Sequence, residues 1–134
     1  MSLRAILAAV AFLLATAAPS RAQVTTDSDF INHLYGLTGT VSIRPSAPTV
    51  GTSATLIAKF APARFALMVC NESVNQCEIS PDALVSTTYG FVLVAAGGCI
   101  LTNAKDDLLL PAQEWWALCG ASASQLYMQE TYLQ

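Results

Sequence analysis

The chain has 134 residues, of which 11% are charged and 54% hydrophobic, with six basic and nine acidic side chains, one histidine and a formal net charge of −3. No basic cluster is present, which argues against nucleic-acid binding. A single histidine leaves little material for acid–base or nucleophilic catalysis.

The first element is an export signal. Ser2-Leu3-Arg4 is a short basic start, an apolar stretch follows from Ala5 to about Ala18, and Ser20-Arg21-Ala22 fits the small-x-small pattern before a cleavage point. At about 1.5 Å per residue the apolar run covers roughly 20 Å, too short for a bilayer core of about 30 Å. Residues 1–22 are therefore expected to be a cleaved signal peptide, and the chain to be exported, either periplasmic or secreted. Arg4 and Arg21 leave with the signal, so the remainder is more acidic still. No later apolar stretch is long enough to span a membrane, and no membrane contact is expected after cleavage.

Residues 23–39 form an expected arm or short helix. Thr25, Thr26, Asp27 or Ser28 can cap it, Phe30, Leu34 and Leu37 recur at helical spacing, and Gly36 and Gly39 end it.

From Thr40 the texture changes to short strands punctuated by turns. Thr40-Val41-Ser42-Ile43 alternates, with Pro45 and Pro48 marking an edge strand or its end. Thr55-Leu56-Ile57-Ala58 is the next strand, and Ala61-Pro62-Ala63-Arg64 makes a turn. Phe65-Ala66-Leu67-Met68-Val69-Cys70 is an apolar run, as expected of a central strand. Residues 71–76 are rich in turn formers and predict a hairpin loop into Cys77-Glu78-Ile79-Ser80. Further strands are expected over 91–94, 99–102, 114–119 and 126–133, with a polar turn at 103–107. Strands this short, with no long helix between them, predict one all-β domain over 40–134: an antiparallel, jelly-roll-like β-sandwich.

Cys70, Cys77, Cys99 and Cys119 stand behind the export signal, which makes them a disulfide framework of an oxidising compartment. Cys70–Cys77 across the hairpin, with Cys99–Cys119, is the expected pairing. Cys70–Cys119 with Cys77–Cys99 stays open as an alternative. In the loop-entropy model the expected bridges contribute about 2.5 and about 3.3 kcal/mol. Zinc ligation usually needs closer cysteines, often with histidine, whereas the nearest pair here is seven positions apart and His33 lies outside the set.

No residue is assigned a catalytic, cofactor or metal role. There is no Gly-x-Ser-x-Gly motif, and Asp106-Asp107 falls in a polar turn where neighbouring carboxylates point apart. Asn71-Glu72-Ser73 matches a glycosylation sequon but reads as a turn. Two aromatics are candidate surface contacts. Trp115 and Trp116 face opposite sides of a strand; Trp116 shares its face with Leu118, so Trp115 is expected to point outward, where it can meet a protein or a carbohydrate. Tyr89, beside Gly90 in a turn, is the second.

The order of these pieces carries a resemblance. Gly51-Thr52-Ser53-Ala54-Thr55 opens a strand, and Pro62-Ala63-Arg64 leads into the apolar strand ending at Asn71. Ile79-Ser80-Pro81-Asp82 follows, then Val85-Ser86-Thr87-Thr88-Tyr89-Gly90, and Trp116-Ala117 begins the last strands, which finish at Tyr132. Over residues 51–132 this is similar to small β-sandwich proteins of phage structural gene modules, of the capsid-decorating, neck or fibre-associated type. The resemblance implies a non-enzymatic virion component without cofactor, a homo-oligomer or a partner of other virion or cell-surface proteins. Those proteins usually lack an export signal and are poor in cysteine. A secreted or periplasmic disulfide-stabilised binding module is accordingly the alternative.

Overall fold

The structure, a computed structural model, describes Gly36 and residues 38–134. The expected signal peptide, and the expected arm or helix apart from Gly36, Thr38 and Gly39, lie outside the described residues.

The strands are β1 (Val41–Ser46), β2 (Thr49–Val50), β3 (Thr55–Ala58), β4 (Arg64–Asn71), β5 (Cys77–Ser80), β6 (Phe91–Leu93), β7 (Cys99–Asn103), β8 (Trp115–Cys119) and β9 (Ser124–Leu133), with a 3-10 turn at Leu110–Ala112 before β8. They form two antiparallel sheets. One has the order β1-β9-β4-β7, with β2 also on β9, and the other the order β3-β8-β5-β6. The hydrogen-bonded pairs nest: β1 and β2 with β9, β3 with β8, β4 with β7, and β5 with β6. With β1 and β2 read as one strand interrupted at Ala47-Pro48, this is the two-sheet jelly roll that the spacing of short strands predicts.

Each strand follows from its composition. The apolar run of β4 makes it a central strand, flanked by β9 and β7. Its inward residues Leu67 and Val69 join Ile79, Leu93, Trp115, Ala117, Leu126 and Met128 in the core between the sheets. Pro45 sits within β1, at the edge of its sheet. The Thr40–Gln134 backbone pair sets the alternation, so that residues 42, 44 and 46 bond to β9 while Pro45 faces outward, where a missing N–H costs the ladder nothing. The turn joining β6 to β7 needs Gly98: a Cβ there would sit 2.4 Å from the Val94 amide nitrogen. The polar turn at 103–107 is held by Asn103, whose side chain accepts from the Lys105 and Asp106 amides and donates to Asp106.

The passage from β4 to β5 is not a hairpin. The chain leaves one sheet at Asn71 and enters the other at Cys77, so these strands are not paired. The cysteines pair accordingly. Cys70 faces Cys99 across β4 and β7, and Cys77 faces Cys119 across β5 and β8, giving disulfides Cys70–Cys99 and Cys77–Cys119. Neither the expected pairing nor its alternative is formed. Both bridges join directly opposed residues, with Cα atoms 4.1 and 4.0 Å apart. These are non-hydrogen-bonded positions, where neighbouring strands come closest.

Asn71 organises the crossover. Its side chain is fully buried, donates to the carbonyls of Asn75, Leu93 and Val94, and accepts from the amide and hydroxyl of Ser73. The sequon asparagine is thus a clip between the sheets, and its amide nitrogen is closed to glycan transfer in the folded chain.

Arg64 belongs to β4 rather than to the preceding turn. Its side chain is fully buried and its guanidinium is shared among four acceptors: the carbonyls of Lys59, Pro111 and Gln113, and the carboxylate of Glu130 on β9. One fork thereby ties the β3–β4 turn, the 3-10 turn and the last strand together. No buried side-chain polar atom among the described residues lacks a partner.

Candidate functional site

The strands of the β1-β9-β4-β7 sheet carry three charged side chains among the described residues: Arg44, Arg64 and Glu130. Cross-strand register places Arg44 opposite Glu130, and Glu130 opposite the core residue Leu67, so this charge gathers on the inner side. Glu130 accepts from Arg64 and from the Tyr132 hydroxyl at 3.0 Å, and Arg44 stacks over the Tyr132 ring at 4.5 Å. Partial burial, then the hydrogen bond and negative charge of Glu130, push the Tyr132 hydroxyl above its ordinary pKa of 10.0, while Arg64 and Arg44 pull it back.

A pH dependence follows. Between the unfolded and the raised folded pKa, the unfolded chain has lost a proton that the folded chain keeps, so stability falls as pH rises. The contribution of neutral Tyr132 is fully present below about pH 10 and is lost through the folded pKa. Melting curves of the wild type should therefore fall more steeply above that pH than those of Tyr132→Phe. Equal slopes would remove Tyr132 from the account.

With the charge drawn inward, the outer face of this sheet is neutral. Because Leu67 and Val69 point into the core, Ala66, Met68 and Cys70 point out. Opposite them on β9 are Tyr127, Gln129 and Thr131, and on β7 Cys99, Leu101 and Asn103. On β1, Ile43 lies against Thr131 and is 44% exposed. The face carries only apolar and uncharged polar side chains, and the Cys70–Cys99 bridge lies on it. An ordinary outward sheet face alternates to polar and charged residues.

Cys77 and Cys119 are buried in the core. The two disulfides thus stand in opposite environments, one on the surface and one in the interior.

Trp115 is not a surface residue. It is fully buried, donates from its indole N–H to the Leu110 carbonyl at 3.2 Å, and belongs to the core together with Ala117 and Cys119. Leu118, which set the expected phase, is buried as well, but on the other face, opposite Glu78. A strand covered on both sides gives no alternation to read. Phe91, beside Trp115, reaches solvent. It is 46% exposed, and its ring lies 6.2 Å from that of Trp115. Tyr89 is half exposed, and with Phe91, Ser80, Pro81, Thr88 and Gly90 it lines a cleft of about 410 Å³. The two sequence-predicted contact residues are not brought together: Tyr89 lines the cleft, and Trp115 does not. The charge-free sheet face was missed, although the absence of charged residues from 83–104 was a signal for part of it.

Among the described residues no group of three or more histidine, cysteine, aspartate or glutamate side chains is placed to hold a metal ion. No helix among them is long and apolar enough to cross a membrane.

No family model matches the chain, and no curated protein matches it. Among solved structures it is similar to a protein of the disulfide-linked pili that form Bacillus endospore appendages, at 11% identity and a TM-score of 0.44, covering 72% of this chain and 91% of that one. It is also similar to dTDP-4-dehydrorhamnose 3,5-epimerase from Bacillus anthracis, at 13% identity and a TM-score of 0.40, covering 81% of this chain and 62% of that one.

Proposed function

We propose that this chain is an exported, non-catalytic, disulfide-stabilised β-sandwich that works by contact, presenting the outer face of its β1-β9-β4-β7 sheet to other proteins of an extracellular or particle surface. The observation that carries this is the missing charge on that face. A free-standing domain gains solubility from charge there, whereas the buried centre of a protein interface is depleted of it. The disulfides fit an oxidising compartment. The strand order over residues 51–132 supports the finer form of the proposal, a virion surface component. The cleft beside Tyr89 supports the alternative, a secreted or periplasmic binding module.

The test is localisation with a face variant. Mass spectrometry of particles, periplasm and culture supernatant should find the exported chain in a surface-assembly or particle fraction. Ile43→Lys combined with Thr131→Lys puts two cations on the face and should release the chain from that fraction. A wild-type chain found free in the periplasm, with saturable sugar binding that Tyr89→Ala abolishes, would favour the binding module instead.

A further inference from the structure

An open sheet edge presents unpaired N–H and C=O groups and pairs with other chains unless it is blunted. Among the described residues the sandwich has four edge strands: β1, β7, β3 and β6. In β1, Pro45 occupies an outward position. In β3, the register with β8 shifts between Leu56 and Ala58, a bulge that bends the strand. β6 has three residues, as short as a blunted edge strand usually is.

β7 has none of these devices. It pairs with β4 over five consecutive residues without a shift, and it contains neither proline nor charge. The bonds Asn71 N–H to Gly98 and Ala104 N–H to Phe65 set its alternation, so that residues 98, 100, 102 and 104 bond to β4 while 99, 101 and 103 face away. Asn103 is already engaged, its N–H with the Asp107 carboxylate and its carbonyl with the Asp107 amide. The amides and carbonyls of Cys99 and Leu101 therefore face outward, and the Leu101 side chain is 63% exposed.

We propose that β7 pairs antiparallel with β7 of a second copy about a two-fold axis at Ile100, with Cys99 of each copy opposite Leu101 of the other, joining two β1-β9-β4-β7 sheets into one. The proposal names a partner for the contact function above and rests on that reading. The open window is self-complementary: its N–H and C=O groups at Cys99 meet the C=O and N–H groups at Leu101, and the symmetry repeats the pair. Among the described edges, the other three are blunted, so what a second copy offers is its own β7. Charge points the same way. Copies of an acidic chain repel, but residues 83–104, which include β6 and β7, carry no charge. Val92 and Val94, in the uncharged stretch ahead of β7, are 55% and 60% exposed. In this register the charged turn at 105–107 falls opposite the neutral residues 93–95 of the second copy.

Sedimentation of the exported chain tests this. The wild type should form a dimer at micromolar concentration. Leu101→Pro removes an outward N–H that β4 does not use, as Pro45 does in β1, and Leu101→Lys places a charge at the seam. Each should weaken dimerisation about tenfold or more. Leu101→Lys also serves if the proline disturbs the fold. Hydrogen exchange at the Cys99 and Leu101 amides should be slow in the wild-type dimer, fast at both positions in Leu101→Lys, and fast at Cys99 in Leu101→Pro, which has no amide at 101. A wild type that stays monomeric at about a hundred times that concentration overturns the proposal, as does a dimer that survives both variants with those amides exchanging freely. A dimer lost in Ile43→Lys with Thr131→Lys but kept in the Leu101 variants overturns the edge and leaves the sheet face as the contact. A dimer lost in the Leu101 variants alone, from a chain free of any surface assembly, supports the edge and removes the broader function.

Discussion

Arg64→Ala should cost about 3–5 kcal/mol, because it strands a carboxylate and several carbonyls that the guanidinium now satisfies. For a domain of this size that is a fall of roughly 15–30 °C in melting temperature. That is between about a fifth and the whole of a total stability of about 5–15 kcal/mol. The loss arises from geometry as much as charge. Arg64 is fully buried and reaches Lys59, Pro111, Gln113 and Glu130 at once. A lysine has the charge but not the fork, so Arg64→Lys should recover part of the loss and not most of it. Glu130→Gln, which keeps an acceptor for Arg64 and for the Tyr132 hydroxyl, should be milder than either. Thermal melts of the three variants check the order. If Arg64→Lys equals the wild type, the fork is not what holds the segments together.

The second large effect is at the buried disulfide. The bridges close sequence separations of 29 and 42 residues, and the loop-entropy model gives about 3.6 and about 3.9 kcal/mol for them. These near-equal figures conceal a difference in access. Cys99 is exposed and Cys70 half-buried, whereas Cys77 and Cys119 are sealed in the core. Under mild reductant Cys70–Cys99 should open first, with the fold intact, and Cys77–Cys119 should open only as the domain unfolds. Cys77→Ala with Cys119→Ala should cost about 3–5 kcal/mol, since it also empties sulfur volume from the core. Timed alkylation with mass spectrometry reads the order of opening. Simultaneous opening of both bridges would contradict the difference in access.

Much of the architecture was legible in the residues, and the parts that were not share one cause. The apolar run of β4, the turn glycines and Pro45 each act locally, so they indicated strands, breaks and an edge where these occur. The cysteine pairing depends on which sheet each strand joins. A polar loop after an apolar strand looks the same whether it reverses within a sheet or crosses to the other one, and at 71–76 it crosses. Trp115 was misplaced because β8 is buried on both faces, so Leu118 could not mark the core side. Arg64 reads as a turn residue because three of its four partners lie far along the chain, Glu130 the farthest, and a buried cation is recognisable only when its acceptors are known. The neutral sheet face emerges from four strands at once, and no single stretch of sequence displays it.

The placement of β9 has a consequence for the order of folding. This strand pairs with β1, β2 and β4, so one sheet is assembled around residues 124–133. Until those residues arrive, β1 and β4 have no common neighbour, and until Cys99 follows them, the first cysteines to emerge, Cys70 and Cys77, have only each other. Neither native bridge joins consecutive cysteines. A chain delivered from its N-terminus into an oxidising space is therefore expected to join Cys70 to Cys77 early and to exchange that bridge as Cys99 and Cys119 follow. Its maturation should be slow, dominated by long-range contacts and thiol exchange, and quickened by a disulfide isomerase.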